Sequence, residues 1–200
     1  TTPTTACFSG LETDEKINLG NAIRYFGDGF QISKRINNKK FWRIPVMEGE
    51  FIIEDKTSIT SGIGGGNILI IGTSNKEVLK AGEAAVKEMK KIDNIILPFP
   101  GGIVRSGSKV GSKYKNLIAS TNDAYCPTLK GITKTNLDKD IECVLEIVVD
   151  GINEKDIALA MKKGIRIICK KFNKGIKSIS AGNYGGKLGP FHFHLRDIMK

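Results

Sequence analysis

The sequence has no Cys-x-x-Cys pair, only two histidines and a single tryptophan. Its four cysteines, Cys7, Cys126, Cys143 and Cys169, follow no zinc-site or disulfide spacing; they read as reduced thiols, and a cytoplasmic protein is expected. No apolar run is long enough to span a bilayer and no stretch reads as a signal peptide, so no membrane partner is expected. An initiator Met is also missing: the chain opens at Thr1-Thr2-Pro3, as a fragment or a processed chain would. Acidic residues are in deficit, 21 against 31 basic ones, leaving a net charge of +10 that favours anionic partners. The bases form only short clusters at Lys34–Lys40, Lys87–Lys91 and Lys170–Lys174, the pattern of a solvated surface rather than of a nucleic-acid stripe.

What is present is enough apolar sequence, 40% of 200 residues, for one large or two small domains. Residues 1–20 read as a loop with a short helix. Residues 22–33 read as two extended pieces around a Gly-Asp-Gly turn, residues 34–40 as a hairpin tip at Asn37-Asn38, and residues 41–54 as extended, with Pro45 and Gly49 marking an edge or bulge. Trp42 is expected to anchor packing. Two β-α-β patterns follow. The first is the strand Asn67–Ile71, a helix capped at Ser74 that runs to about Lys91, and a strand over residues 94–98. The second is the strand from Ile141 to Asp150, a helix Glu154–Lys171 capped by Asn153, and the strand Ile176–Ser180, with residues 191–195 as a further strand. Together they predict an α+β chain with a ferredoxin-like split β-α-β sandwich.

In the strand from Ile141, period-2 alternation puts Ile141, Cys143, Leu145, Ile147 and Val149 on one face and Glu142, Val144, Glu146, Val148 and Asp150 on the other. Glu146 is the central carboxylate of the second face, between two valines. On periodicity alone a wet outer face is favoured. If a further layer covers that face, burial raises the carboxyl's pKa and suits it to general-acid chemistry. The Gly/Ser-rich stretch 99–140 between the two units is too long for a plain connection, and a functional loop is expected there.

Several motifs fail. The Gly62–Gly66 run lacks dinucleotide spacing and precedes a strand, so a turn or bulge is expected. Residues 102–107 begin like a P-loop, but Ser108-Lys109 stand where Lys-Ser/Thr should. His192 and His194 lack a third ligand at metal spacing, so a polar strand face is favoured and no metal is expected.

A set of unusual strings nonetheless occurs in order: residues 26–29 (FGDG), 44–51 (IPVMEGEF), 98–104 (PFPGGIV), 108–113 (SKVGSK), 119–128 (ASTNDAYCPT) and 180–189 (SAGNYGGKLG). Over essentially its whole length the chain resembles the formylmethanofuran:tetrahydromethanopterin formyltransferases. The resemblance implies a two-lobed subunit, with residues 1–43 the end of a distal lobe and 44–200 a ferredoxin-like proximal lobe, assembling as a homodimer or homotetramer. It implies transfer of a formyl group from the amine of methanofuran to a ring nitrogen of tetrahydromethanopterin, two polyanionic C1 carriers, with no prosthetic group or metal. It makes Glu146, in the CVLEIV string of residues 143–148, the acid/base.

For the substrates, Phe99, Pro100, Gly101 and Gly102 offer a ring and close backbone. Ser120, Thr121, Asn122 and Asp123 offer hydrogen bonds, and Lys109 and Lys113 offer charge; each of these also has a plain structural reading in turns and loops. The alternatives are a subunit of a bacterial formyltransferase/hydrolase complex, and a truncated, non-catalytic polyanion-binding module.

Overall fold

The computed structural model describes residues 2–105, 107–182 and 189–200. The chain divides into two compact units, Thr1–Ser61 and Gly62–Lys200.

The first unit contains β1 (Ala6–Cys7), β2 (Lys16–Ile17), α1 (Leu19–Ile23), a 3-10 turn at Arg24–Gly27, β3 (Ile32–Ile36), β4 (Lys39–Val46), β5 (Gly49–Glu54) and β6 (Thr57–Ser58). Its main sheet has the order β1-β5-β4-β3, with β1 parallel to β5 and the rest antiparallel. Asn37 and Asn38 both take positive φ (48° and 63°), the backbone a tight two-residue hairpin needs. Trp42 anchors the sheet as expected: its indole N–H reaches the Asp55 carboxylate, and its ring lies beneath Arg24 and Lys40, 4.9 and 4.3 Å from the centroid. Several expectations fail here. Residues 1–20 include two short strands, and residues 22–27, expected to be extended, continue a helical stretch that starts at Leu19. Gly20 explains the second: a Cβ there would sit 2.2 Å from the Glu54 carbonyl oxygen, so the glycine lets a helical turn dock on the end of β5. Pro45 is not on an edge strand, but it lies beyond Arg43, the last β4 residue that β3 pairs. Gly49, at φ 84°, closes the β4–β5 turn rather than forming a bulge.

The second unit contains β7 (Ile63–Gly72), α2 (Asn75–Met89), β8 (Ile95–Ile96), β9 (Ser108–Val110), β10 (Ala119–Thr121), β11 (Cys143–Gly151), α3 (Glu154–Lys171), β12 (Ile176–Ser180) and α4 (Leu195–Met199). The main sheet has the order β12-β7-β11-β8 and every pair is antiparallel. The two β-α-β units are therefore interleaved, each returning strand separated from its partner by a strand of the other unit. This is the split arrangement expected from sequence. Both long helices start on side-chain caps: Ser74 Oγ accepts from Glu77 N (3.4 Å) and Asn153 Oδ1 from Asp156 N (2.9 Å). They pack on one face of the sheet, over Ile68, Ile70, Ile147 and Val149, each 0% exposed. Burial of that order is worth about 1.5–3 kcal/mol per side chain.

The opposite face carries Asn67, Leu69 and Ile71 of β7 against Val148, Glu146 and Val144 of β11. It is not wet, because Leu137 and Ile141 from the long loop pack on Leu69 and Ile71. Ile141 thus lies on the face opposite the one alternation assigned it. The ladder starts only at Cys143, and before it the chain turns through an Ile141 N–H to Asp138 O bond. β8 is also shorter than expected and pairs only with Asp150 and Gly151. The edge it leaves open is taken by Val104, which exchanges two backbone bonds of 2.8 Å with Glu146. Residues 191–195 are not a strand. Phe193 and Leu195 are drawn to the core and α4 follows, so no ladder forms.

Candidate active site in the second unit

Glu146 sits mid-strand on β11, a position fixed on one edge by the ladder with β7 and on the other by a single backbone bridge to Val104. Its residue surface is 6% exposed. Asn67 Nδ2 donates to Glu146 Oε1 at 2.8 Å, and Asn67 Oδ1 accepts from the Gly182 N–H at 2.8 Å. Burial pushes the Glu146 carboxyl above its ordinary range, and the Asn67 amide only partly opposes this because its donor favours the ionised form. The space a Cβ at Gly107 would fill lies 3.5 Å from the other oxygen, Oε2.

The carboxyl opens onto a cleft of about 650 Å³ lined by Asn67, Phe99, Val104, Lys109, Glu146 and His194, among others. Its floor includes Gly64, Gly65 and Gly66 at the start of β7. Gly65 has φ 96° and donates its N–H to Asp150 Oδ1 at 2.8 Å; β11 shifts register opposite, between Val149 and Gly151. The glycine run is thus a bulge bordering a cleft, in line with its sequence reading. Phe191, His192, Phe193 and His194 all line the cleft, Phe193 also packing on the core; the two histidine rings are near-parallel (12°) with centroids 6.2 Å apart. Among the described residues no group of three or more His, Cys, Asp or Glu could hold a metal ion. Burial pushes the Cys143 thiol up, away from thiolate chemistry.

Of the residues singled out from sequence, Glu146, Phe99 and Lys109 line this one cleft. Lys109 pairs with Asp123, whose carboxyl it holds below the usual range. Asn122 stands behind the wall, its N–H on the Gly107 carbonyl at 3.1 Å. Pro100, Gly101 and Gly102 form a 3-10 turn; Gly102, at φ 77°, is buried, and a Cβ there would lie 2.9 Å from Val86 of α2. Ser120 Oγ donates to the Gly111 carbonyl (2.8 Å), Thr121 Oγ1 lies 3.5 Å from Cys126 Sγ, and Lys113 is exposed at the tip between β9 and β10. None of these last six residues lines the cleft. Residues 183–188 of the string 180–189, and Ser106 of the P-loop-like stretch, lie outside the described residues.

Four contributors, Asn67, Phe191, His192 and His194, are not legible as such. Asn67 left one trace, a lone amide opening the apolar run of residues 67–71. Alternation reads Phe191 and the histidine pair as a strand face and cannot reveal that the segment lines a cleft.

Two family models match the chain: "FTR, proximal lobe" over residues 49–198 and "Formylmethanofuran-tetrahydromethanopterin formyltransferase" over residues 1–46. A formylmethanofuran–tetrahydromethanopterin formyltransferase of Methylobacillus flagellatus is 60% identical over 204 residues, covering 100% of this chain and 68% of its own length. That of Methylococcus capsulatus is 60% identical over 200 residues, covering 100% of this chain and 67% of its own. Among solved structures, a chain of the formyltransferase/hydrolase complex of Methylorubrum extorquens, crystallised with methylofuran, superposes with a TM-score of 0.80 at 48% identity. That match covers 98% of this chain and 66% of the other. The present chain thus spans about two thirds of the length of these relatives.

Proposed function

The chain belongs to the formylmethanofuran–tetrahydromethanopterin formyltransferase family, and on that premise we propose that it transfers a formyl group from formylmethanofuran to tetrahydromethanopterin, with Glu146 as the acid/base. The single observation behind this reading is the buried carboxyl of Glu146, raised above its ordinary range by burial, at an open cleft.

The chemistry follows from what formyl transfer between two amines requires. The pterin nitrogen attacks the formyl carbon, a new C–N bond forms, and charge builds on oxygen in a tetrahedral intermediate. The old C–N bond then breaks, so the departing methanofuran amine must gain a proton and the attacking amine must lose one. A neutral Glu146 supplies the first proton and, once ionised, accepts the second, so one residue closes the cycle. The cleft aligns both reactants, which lowers the entropic part of the barrier. Lys109 stands at its wall, and the surplus of +10 steers carriers that bear carboxylate and phosphate groups. The remaining contacts suggested by sequence, at Phe99, Pro100, Gly101, Gly102, Lys113, Ser120, Thr121, Asn122 and Asp123, belong to the same proposal. Phe99 has the strongest support, being 42% exposed within the cleft lining. Residues 1–43 are assigned to the end of a distal lobe and 44–200 to a proximal lobe, in a homodimer or homotetramer acting without a metal or prosthetic group.

Glu146→Gln keeps the shape and the Asn67 contact but removes the transferable proton. Its kcat is expected to fall about 10²–10⁴-fold, the usual worth of general acid–base catalysis, with KM little changed. Near-normal turnover would refute the assignment. The second reading, a subunit of a formyltransferase/hydrolase complex, draws on the superposition with the Methylorubrum extorquens chain. Copurification with hydrolase subunits from the native source would favour it.

A further inference from the structure

The Asn67 side chain has two hydrogen-bonding ends, and the backbone decides which way they face. Gly182 presents an N–H, which can only donate, so the Asn67 atom facing it must be the acceptor Oδ1. The other end, Nδ2, is thereby turned toward Glu146 Oε1 as a donor. An oxygen that accepts this N–H is the poorer place for the carboxyl's single proton. We propose that Asn67 is a positioning residue that holds Glu146 with Oε1 as the accepting oxygen and Oε2 as the one that carries and delivers the proton. This inference rests on the acid/base reading of Glu146 and deepens it.

Two observations support it independently. Asn67 is itself buried, 6% exposed, and both of its bonds span elements distant in sequence, from β7 to β11 and from β7 to the stretch just after β12. A solvated amide would gain nothing from such a placement, whereas a buried one is held in a single orientation. On the other side, Gly107 leaves open the space 3.5 Å from Oε2 that any side chain would fill. Among the described residues, the other charged or titratable side chains lining the cleft are Lys109, already paired with Asp123, and His192 and His194. Among the described residues only Asn67 makes a side-chain hydrogen bond to the Glu146 carboxyl. In the reaction, the O–H bond at Oε2 breaks toward the departing amine, and the resulting carboxylate takes a proton from the attacking amine.

The test is the titration of the Glu146 carboxyl in the full chain, followed by ¹³C NMR of side-chain-labelled glutamate and assigned by the signal lost in Glu146→Gln. It is paired with the pH profile of kcat. Asn67→Leu removes both bonds at similar volume. The carboxyl midpoint is expected to move to higher pH, because a donor that favoured the ionised form is gone. The basic limb of kcat should move with it, while plateau kcat falls about 10- to 100-fold, as expected for a reacting group displaced by an ångström, and KM stays within about twofold. Asn67→Asp keeps an acceptor for Gly182 N–H and sets a second carboxyl against Glu146, so it should raise the midpoint further; it also carries the test if Asn67→Leu does not fold. An unmoved or lowered midpoint in the variants overturns the inference. A wild-type chain that titrates as expected but transfers no formyl group sinks the proposed function and leaves the positioning intact.

Discussion

Gly107→Ala should make the protein more stable and less active, two effects of opposite sign from one methyl group. The position does not demand glycine for its backbone, since Gly107 is not among the residues with positive φ. A Cβ built there would meet Glu146 Oε2 at 3.5 Å and Asn122 Cβ at 3.9 Å, both ordinary contact distances. With no clash to offset it, the loss of unfolded-chain freedom should stabilise by about 0.4–1 kcal/mol. For a domain of this size that corresponds to a rise in Tm of about 1–4 °C. On the proposed acid/base role of Glu146, the same methyl stands where a reactant would come to take a proton from Oε2. An O–H···N or O–H···O bond needs heavy atoms about 2.6–3.0 Å apart, and a carbon at 3.5 Å from Oε2 obstructs that approach. Displacing the reactant by an ångström costs about 100-fold in kcat. The assay is formyl transfer at saturating carriers, run beside a thermal melt on the same preparation. A variant with kcat within threefold of wild type would refute the view that Oε2 faces the reactants. A Tm lowered by several degrees would refute the steric reading of the site.

Two further outcomes follow from the core and from linkage. Ile68→Ala, at a side chain 0% exposed on β7 beneath both long helices, should cost about 2–5 kcal/mol, read as a lowered urea midpoint; a cost below 1 kcal/mol would mean that the sandwich is not closed there. Stability should also depend on pH through Glu146, whose carboxyl is raised by burial above its ordinary value of 4.5. Between that value and the raised one the folded state binds more protons than the unfolded chain, so this residue's contribution falls as pH rises through the window and is flat on either side. The stability of Glu146→Gln relative to wild type should therefore grow with pH across that window and then level off, and a difference that stays constant or shrinks in urea titrations would contradict the burial.

The order of elements in the two β-α-β units was already written in the residues. Helix periodicity and the caps at Ser74 and Asn153 placed α2 and α3 to within a residue or two, because these are local effects that act through bonds between near neighbours. Alternation likewise put Val144, Glu146 and Val148 on one strand face, and the ordered strings of residues placed the chain in its family. What alternation could not say was whether that face is wet. That depended on Leu137 and Ile141 reaching back over Leu69 and Ile71, and on Val104 closing the edge β8 leaves open, contacts between segments far apart along the chain. The same limit separated the loop's residues. Lys109 reached the cleft and Gly102 went beneath α2, although both read alike as loop positions. Asn67 and Gly182 are 115 residues apart, and no pattern within either segment foretells their bond. Local chemistry set the elements and supplied the Glu146 carboxyl; only the packed fold withdrew it from water and set it beside a cleft, because desolvation is a property of everything that surrounds a group and not of its neighbours in the chain.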